Sequence, residues 1–294
     1  MDNVKKSLIS LHIAVFLLGI TALFSKLIPM SATDIVFVRS VVAGLVLFVM
    51  LKLAKKAVGL RTVKDYWMAL IIGLLLSAHW VTYFAAMQYS TVAIGMIALF
   101  TFPMITVFLE PFFEPIKLVW QDIVSAIVVL VGIVLIVPEV SLENDVTLGI
   151  VLGVISAFFY AMRNLVHRKH FSHYSGPHAM LIQICVVILS LLAFISEDVV
   201  TTDSNTWLLI FILGTLCTAA PHALIASSLQ HLRAKTFSLI ACIQPFYGVI
   251  FAMLVLSEHP NWQTFVGGIL VISAAIYETV NTHKLHQQSK QENT

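Results

Sequence analysis

The chain has 294 residues, of which 59% are hydrophobic and only 11% charged, with a formal net charge of +2. A soluble domain carries about 25% charged residues, so the charges here are too few to cover a water-facing surface, and they form no basic stripe for nucleic acid. An all-α integral membrane protein remains, because helices of about 20 apolar residues cross a hydrocarbon core of about 30 Å. The roughly 10-residue alternating strands of a membrane barrel do not occur in the sequence.

Ten such runs follow one another, at about 10–28, 34–51, 67–86, 92–112, 120–138, 147–166, 179–196, 207–227, 236–256 and 262–280. Lys5 and Lys6 precede the first run as in a signal peptide. No small-residue cleavage site follows and a second run comes at once, so the first run reads as a retained span. Connections as short as 87–91 make neighbouring spans antiparallel hairpins. Cys185, Cys217 and Cys242 all lie in apolar runs, without the spacing of a disulfide framework or a zinc site.

Lysine and arginine placement orients the spans. With the N-terminus in the cytoplasm, the inner segments hold Lys5, Lys6, Lys52, Lys55, Lys56, Arg61, Lys64, Lys117, Arg168, Lys169, Arg233, Lys235, Lys284 and Lys290. The outer loops hold acids instead: Asp34, Glu139, Glu143, Asp145, Glu197, Asp198, Asp203 and Glu258. Only Lys26, Arg39 and Arg163 are left within spans. Both termini are therefore expected in the cytoplasm, with 282–294 a polar tail.

The runs also repeat. Gln88, Pro103 and Trp120 recur at one constant offset as Gln230, Pro245 and Trp262. Gly19 and Phe24 of the first span match Gly153 and Phe158 of the sixth at a slightly shorter offset. The chain thus reads as two five-helix halves, 1–140 and 146–281. Five is odd, so the second half enters the membrane inverted relative to the first, as in carriers that alternate access to a midplane site. Arg233 and Lys235 then charge the copy of the hairpin that faces inward, and the uncharged YSTV copy faces out.

Several stretches carry a family resemblance. They are GITALFSK in the first span, FVRSVVAGL entering the second, the hairpin AMQYSTVAIGMIALFTFPMI, and SLQHLRAKTFSLIACIQPFYGVIFAMLVLSEHPNWQTFVGGILVISA near the end. In these the chain resembles the drug/metabolite transporter superfamily, in particular its EamA-type ten-helix members. The first half departs from the pattern, since Glu114 follows Pro103 by eleven residues whereas Glu258 follows Pro245 by thirteen. The resemblance implies transport of amino acids, other small metabolites or drugs, and leaves the substrate open.

Pro103 and Pro245 fall near the middle of the fourth and ninth spans. A proline lacks an N–H and crowds the preceding turn, so each is expected to kink its helix and free a carbonyl, tolerated only against protein or a water-filled cavity. Polar stripes run through the same depth: Thr21 and Ser25; His79, Trp80 and Tyr83; Ser156, Tyr160, Arg163 and Asn164; Pro221 and His222; Gln244 and Tyr247. Turned inward, they predict a cavity built from spans one, three, four, six, eight and nine, with five and ten peripheral. The candidate substrate-binding residues are His79, Trp80, Tyr83, Phe102, Tyr160, Arg163, Asn164, His222, Gln244 and Tyr247.

The ionisable residues inside spans carry two readings each. Arg163 is a substrate or gating group, or a side chain snorkelling to the interface. Lys26 is placed to pair with Asp34, and Arg39 with Asp34 or with carbonyls of the outer leaflet. Glu110 reads as an interfacial acid, with proton coupling its other reading. His79 and His222, imidazoles of a kind that titrates near neutral pH, can hold a carboxylate, carry a coupling proton, or serve as neutral hydrogen-bonded groups. The spacing of His167, His170, His173 and His178 fits no familiar zinc site and reads as a solvated loop. Gly149 and Gly153 permit close helix approach, within the chain or between copies.

The sequence contains no GxxxxGK[ST], HExxH or GxSxG motif, so neither ATP hydrolysis nor another enzyme activity is expected, and no cofactor or metal is indicated. Residues and resemblance together predict a secondary active transporter of the inner membrane. It would move a small polar or amphipathic metabolite by alternating access, with export of an amino acid or related compound leading. Efflux of cationic compounds, or a non-transporting receptor or assembly role, are the alternatives. Expected partners are the metabolite, the lipid bilayer and a coupling ion such as a proton.

Overall fold

Short polar residues set where the helices begin. Ser31 caps α3 (Ala32–Leu53) by accepting from the Asp34 N–H, and Thr62 and Asp65 form a reciprocal capping box on α4 (Val63–Tyr89). Thr91 caps α5 (Val92–Leu99), Asn144 caps α8 (Asp145–His170) and Asp203 caps α11 (Ser204–Gly214). The remaining longer helices are α1 (Asn3–Thr21), α6 (Phe102–Leu109), α7 (Trp120–Ile136), α9 (Gly176–Leu191), α12 (Ala220–Ser228), α13 (Gln244–Leu256) and α14 (Trp262–Gln291). Two single turns, α2 (Phe24–Leu27) and α10 (Asp198–Thr201), complete the set, and no strand occurs among the described residues. This computed structural model describes residues 3–291 apart from 57, 114, 116–117, 137–143, 172 and 229–239. Glu114, Lys117, Glu139, Glu143, Gln230, Arg233 and Lys235 therefore lie outside the described residues.

Seven helical stretches are long and apolar enough to cross a membrane: Lys5–Leu27, Ala32–Leu53, Val63–Tyr89, Val92–Phe112, Asp145–His170, Gly176–Phe194 and Ser204–Ile225. The expected fifth, ninth and tenth spans correspond to the shorter apolar helices Trp120–Ile136, Gln244–Val255 and Trp262–Tyr277. The outside of the bundle is apolar, as a lipid-facing surface requires: Leu53, Val134 and Leu254 are all more than two-thirds exposed.

Glycines set the closest helix contacts. A Cβ on Gly149 would lie 2.6 Å from the Ser90 Cβ, and one on Gly153 would lie 2.5 Å from the Ala98 Cβ. The GxxxG of α8 is thus used inside the chain, seating α8 on α4 and α5. A Cβ on Gly132 of α7 would meet the Gly267 carbonyl of α14 at 2.9 Å, which brings those two backbones together to one side.

Four of the expected spans are discontinuous. The first breaks at Ala22–Leu23, the fourth at Phe100–Thr101 and the ninth at Cys242–Ile243, while the eighth carries a π-helical turn at Thr215–Ala219 between α11 and α12. Pro103 and Pro245 were expected to kink their helices, and the helical turns are interrupted for two residues just ahead of Phe102 and of Gln244. Each sits in the first turn of a new helix, α6 and α13, after a break. The reason is steric: the ring of Pro103 would clash with the carbonyl four residues back, on Leu99, and Leu99 is where α5 ends. Pro221 acts in the same way on the π turn, because its residue four back is Cys217.

Candidate functional site

A cavity of about 550 Å³ lies between the helices, and all four discontinuities border it, through Thr21, Phe100, Cys217 with Thr218, and Cys242 with Gln244. Backbone groups that leave a helix in lipid need partners, and one such partner is present. The Cys217 carbonyl, freed by Pro221, lies 3.0 Å from Thr21 Oγ1, whose one hydrogen is shared between it and the Leu17 carbonyl, also at 3.0 Å. Thr218 Oγ1 bonds the Leu213 carbonyl at 2.8 Å within the π turn.

Of the residues expected at the site, His79, Trp80, Tyr83, Phe102, Tyr160, Arg163, Asn164, His222, Gln244 and Pro103 line this cavity. Tyr247 and Pro245 do not. Gly19 has no side chain, so α13 packs directly on α1 there, and Tyr247 fills that contact edge-on to Phe16 with ring centres 5.4 Å apart. Among the described residues, neither α7 nor α14 contributes to the lining, in keeping with their expected peripheral position. The expected ring of helices was incomplete, however. Span two adds Arg39, and span seven adds Gly176, Ala179, Met180 and Gln183.

One wall is an aromatic ladder. His79 stacks on Tyr160 with ring centres 4.6 Å apart and on Tyr83 at 6.0 Å, and Tyr160 meets Phe102 edge-on at 4.9 Å. Ser156 fixes the imidazole. Its hydroxyl donates to the His79 carbonyl at 2.9 Å, so at the 2.8 Å contact with Nδ1 its oxygen must accept, and Nδ1 carries the proton. The Nε2 lone pair is then what His79 offers to the cavity.

The charged lining falls into three places. Arg163 does not snorkel straight to the interface: its Nε donates to Gln183 at 2.8 Å and its Nη1 to Asn164 at 2.9 Å. Glu110, only 4% exposed, pairs with the exposed Arg168 at 2.6 Å at the end of the cavity nearest Gly176. Arg39 faces neither Asp34 nor outer carbonyls. Its Cζ lies 4.0 Å from the Trp80 ring centre and 4.6 Å from that of Phe84. Asp34 is five residues away on α3 and off that face, and it accepts from Ser31, from the Ser196 N–H and from the Ser196 hydroxyl.

The other end of the bundle is closed by a different set. Lys26 Nζ donates to the Gln88 and Ser90 carbonyls at 3.0 and 2.9 Å, completing the C-terminus of α4 rather than pairing with Asp34. Gln88 Nε2 donates to the Met30 carbonyl at 2.8 Å. Glu258 accepts from the Val92 N–H at 2.9 Å, tying the α13–α14 turn to the N-terminus of α5. Burial pushes the Glu258 carboxyl above its ordinary range, while the Val92 N–H and Lys26 pull it back. The four histidines read as a solvated loop lie otherwise: His167 and His170 are in the last turns of α8, and buried His178 is in α9. His173 and His178 both meet the Tyr174 ring, at 4.3 and 5.1 Å. Among the described residues no three His, Cys, Asp or Glu are placed to hold a metal.

Fold and site together define a multi-pass helical membrane protein built around a solute-sized internal cavity. The sequence profile of the EamA-like transporter family matches residues 5–137 and 147–277, and the chain belongs to that family. It is 25% identical over 281 residues to the uncharacterized transporter YxxF of Bacillus subtilis (strain 168), covering 93% of this chain and 89% of that one. An uncharacterized transporter of Archaeoglobus fulgidus is 24% identical over 160 residues, 52% of this chain and 55% of that protein. A solved crystal structure shares the fold, with a TM-score of 0.63 at 15% identity, covering 93% of this chain and 97% of that one.

Proposed function

We propose that this chain is a secondary carrier of the inner membrane that moves a small polar or amphipathic metabolite by alternating access. Export of an amino acid or a related compound is the leading case. The observation that carries the reading is the cavity: four broken spans converge on it, and it offers stacked aromatic rings together with guanidinium, imidazole and amide groups. The two segments matched by the family profile coincide with the two halves of the sequence repeat, which supports an inverted pair of five-helix units. In this conformation the cavity runs to the end marked by Arg168 and Gly176, and the Lys26–Gln88–Glu258 contacts close the opposite end. With both termini cytoplasmic, that is an inward-facing state. Glu258, His79 and His222 are the groups on which a coupling proton would act. Among the described lining residues, three arginines against one glutamate favour an anionic or zwitterionic solute over a cationic drug.

The test is flux through the purified protein in proteoliposomes, with amino acids, nucleosides and cationic dyes offered with and without a pH gradient. Wild type is expected to move at least one amino acid or related metabolite. His79→Ala, Tyr160→Ala and Arg163→Ala are expected to lower that flux without loss of folded protein. Absence of flux for every class removes the carrier reading, and normal flux in all three variants removes this cavity as the path.

A further inference from the structure

Arg39 is the one ion in the cavity wall for which the described residues provide no acceptor. It is 2% exposed, and its Nε and Nη2 have no hydrogen-bond partner among the described residues. Around it are the rings of Trp80 and Phe84. Tyr83, one turn after Trp80 on α4, is 5% exposed and has a hydroxyl that also lacks a partner. Both side chains line the cavity. The carboxylates that a buried guanidinium would be expected to find are engaged elsewhere: Asp34 with Ser31 and Ser196, and Glu110 with Arg168. Burying a cation without a counter-charge is costly, and so is leaving its donors unmet. An anion arriving from the cavity removes both costs at once.

We propose that Arg39 and the Tyr83 hydroxyl form an anion subsite that takes the carboxylate of an amphipathic solute. The identification of that solute as the transported one rests on the carrier reading above. The chemistry favours carboxylate over phosphate. One guanidinium and one phenol match two oxygens in a plane, whereas a phosphate dianion presents three oxygens to a site otherwise walled by aromatic carbon. The rest of the solute is provided for as well. From Tyr83 the ladder continues through His79 and Tyr160 to Phe102, an apolar wall for a side chain, while the unprotonated His79 Nε2 can accept from an ammonium group. The Arg39 nitrogens named above are sealed from water, so binding requires the guanidinium to turn off Trp80. Tryptophan fluorescence should report that movement.

The test uses the full-length purified protein in detergent, titrated with 3-phenylpropionate, isovalerate, L-phenylalanine, phenethylamine and inorganic phosphate while tryptophan fluorescence and thermal unfolding are followed. Wild type is expected to respond to the carboxylates and not to phenethylamine or phosphate. Arg39→Gln should weaken the carboxylate response by about 10- to 100-fold, the range for one charge-assisted hydrogen bond. Tyr83→Phe should weaken it several-fold, and Trp80→Phe should remove the fluorescence change while leaving the thermal one. Where Arg39→Gln does not fold, the wild-type selectivity series and Tyr83→Phe decide the matter. The subsite is overturned by a wild-type protein that answers none of the carboxylates, or that answers phenethylamine or phosphate as strongly. It is equally overturned by a folded Arg39→Gln protein with wild-type affinity. Carboxylate binding without flux would leave the subsite and remove the carrier. Flux of carboxylates unaffected by Arg39→Gln would do the reverse.

Discussion

Glu258 shows what a single residue contributes at the closed end of the bundle. It sits just past α13, where Ser257 takes a left-handed conformation (φ 56°) that turns the chain back towards the Val92 N–H. Burial raises its pKa, the first of the influences on it, against the smaller pulls of the Val92 N–H and Lys26. A carboxyl whose folded pKa lies above its unfolded one binds protons more tightly in the folded state, so folded stability increases as pH falls through that window. The window starts just above the ordinary glutamate range and closes once both states are protonated. Glu258→Gln keeps an acceptor for Val92 and removes the titration. Wild type should therefore gain unfolding temperature relative to Glu258→Gln as pH drops into that window, and a difference that is flat with pH, or of opposite sign, would contradict the assignment. At this scale the sequence located the charged groups but not their partners. Lys26 was expected on nearby Asp34, yet it bonds Ser90, and Glu258 reaches Val92 from the other half of the chain. Partners distant in sequence depend on which helices lie side by side, and a hydropathy pattern is silent on that.

Elements were more legible, because an apolar run announces a helix and a proline announces a discontinuity. Pro103 and Pro245 mark two of the four interruptions. The π turn was hidden: Pro221 lies just beyond it, and its effect falls four residues earlier, on the carbonyl of Cys217. That carbonyl ties α1 to the π turn through Thr21 Oγ1. Thr21→Val keeps the shape of the side chain and leaves the carbonyl unpaired, a loss of about 1–3 kcal/mol. In a Pro221→Ala background residue 221 regains an N–H, and an ordinary helical turn can satisfy the same carbonyl, so the cost of Thr21→Val should shrink. A double-mutant cycle on thermal or denaturant unfolding measures that coupling. Strictly additive effects would mean that proline and threonine act independently. Arg39 was also missed as a cavity residue. One signal was present in FVRSVVAGL, a charge a turn or two inside an apolar span with its nearest acid five residues away and so off its face.

For the whole molecule, charge separation is the property that links sequence, fold and function. The structure gathers Arg61, Asp65 and Tyr174 at the same end of the bundle as the Glu110–Arg168 pair, through bonds from the Arg61 N–H to the Tyr174 hydroxyl and from that hydroxyl to Asp65. Lys52, Lys55, Lys56 and Lys64 flank Arg61 along the chain, and Lys169 follows Arg168. Asp34, Ser196 and Glu258 lie at the other end, by the terminus of α4 that Lys26 completes. A bilayer with a negative inner face selects one of the two ways of inserting such a bundle. On the orientation proposed above, the basic end, where the cavity runs to Arg168 and Gly176, would face the cytoplasm. Cysteines at Lys55, after α3, and at Asp203, capping α11, should therefore lie on opposite sides. With Cys185, Cys217 and Cys242 replaced by serine or alanine, a membrane-impermeant maleimide should label Asp203→Cys in intact cells and Lys55→Cys only after permeabilisation. The opposite pattern would turn the carrier over and make this conformation outward-facing. Labelling of both sites in intact cells would break the helix count between residues 55 and 203. The expected pattern would fix the cavity of this conformation as one loaded from the cytoplasm, the starting state that export requires.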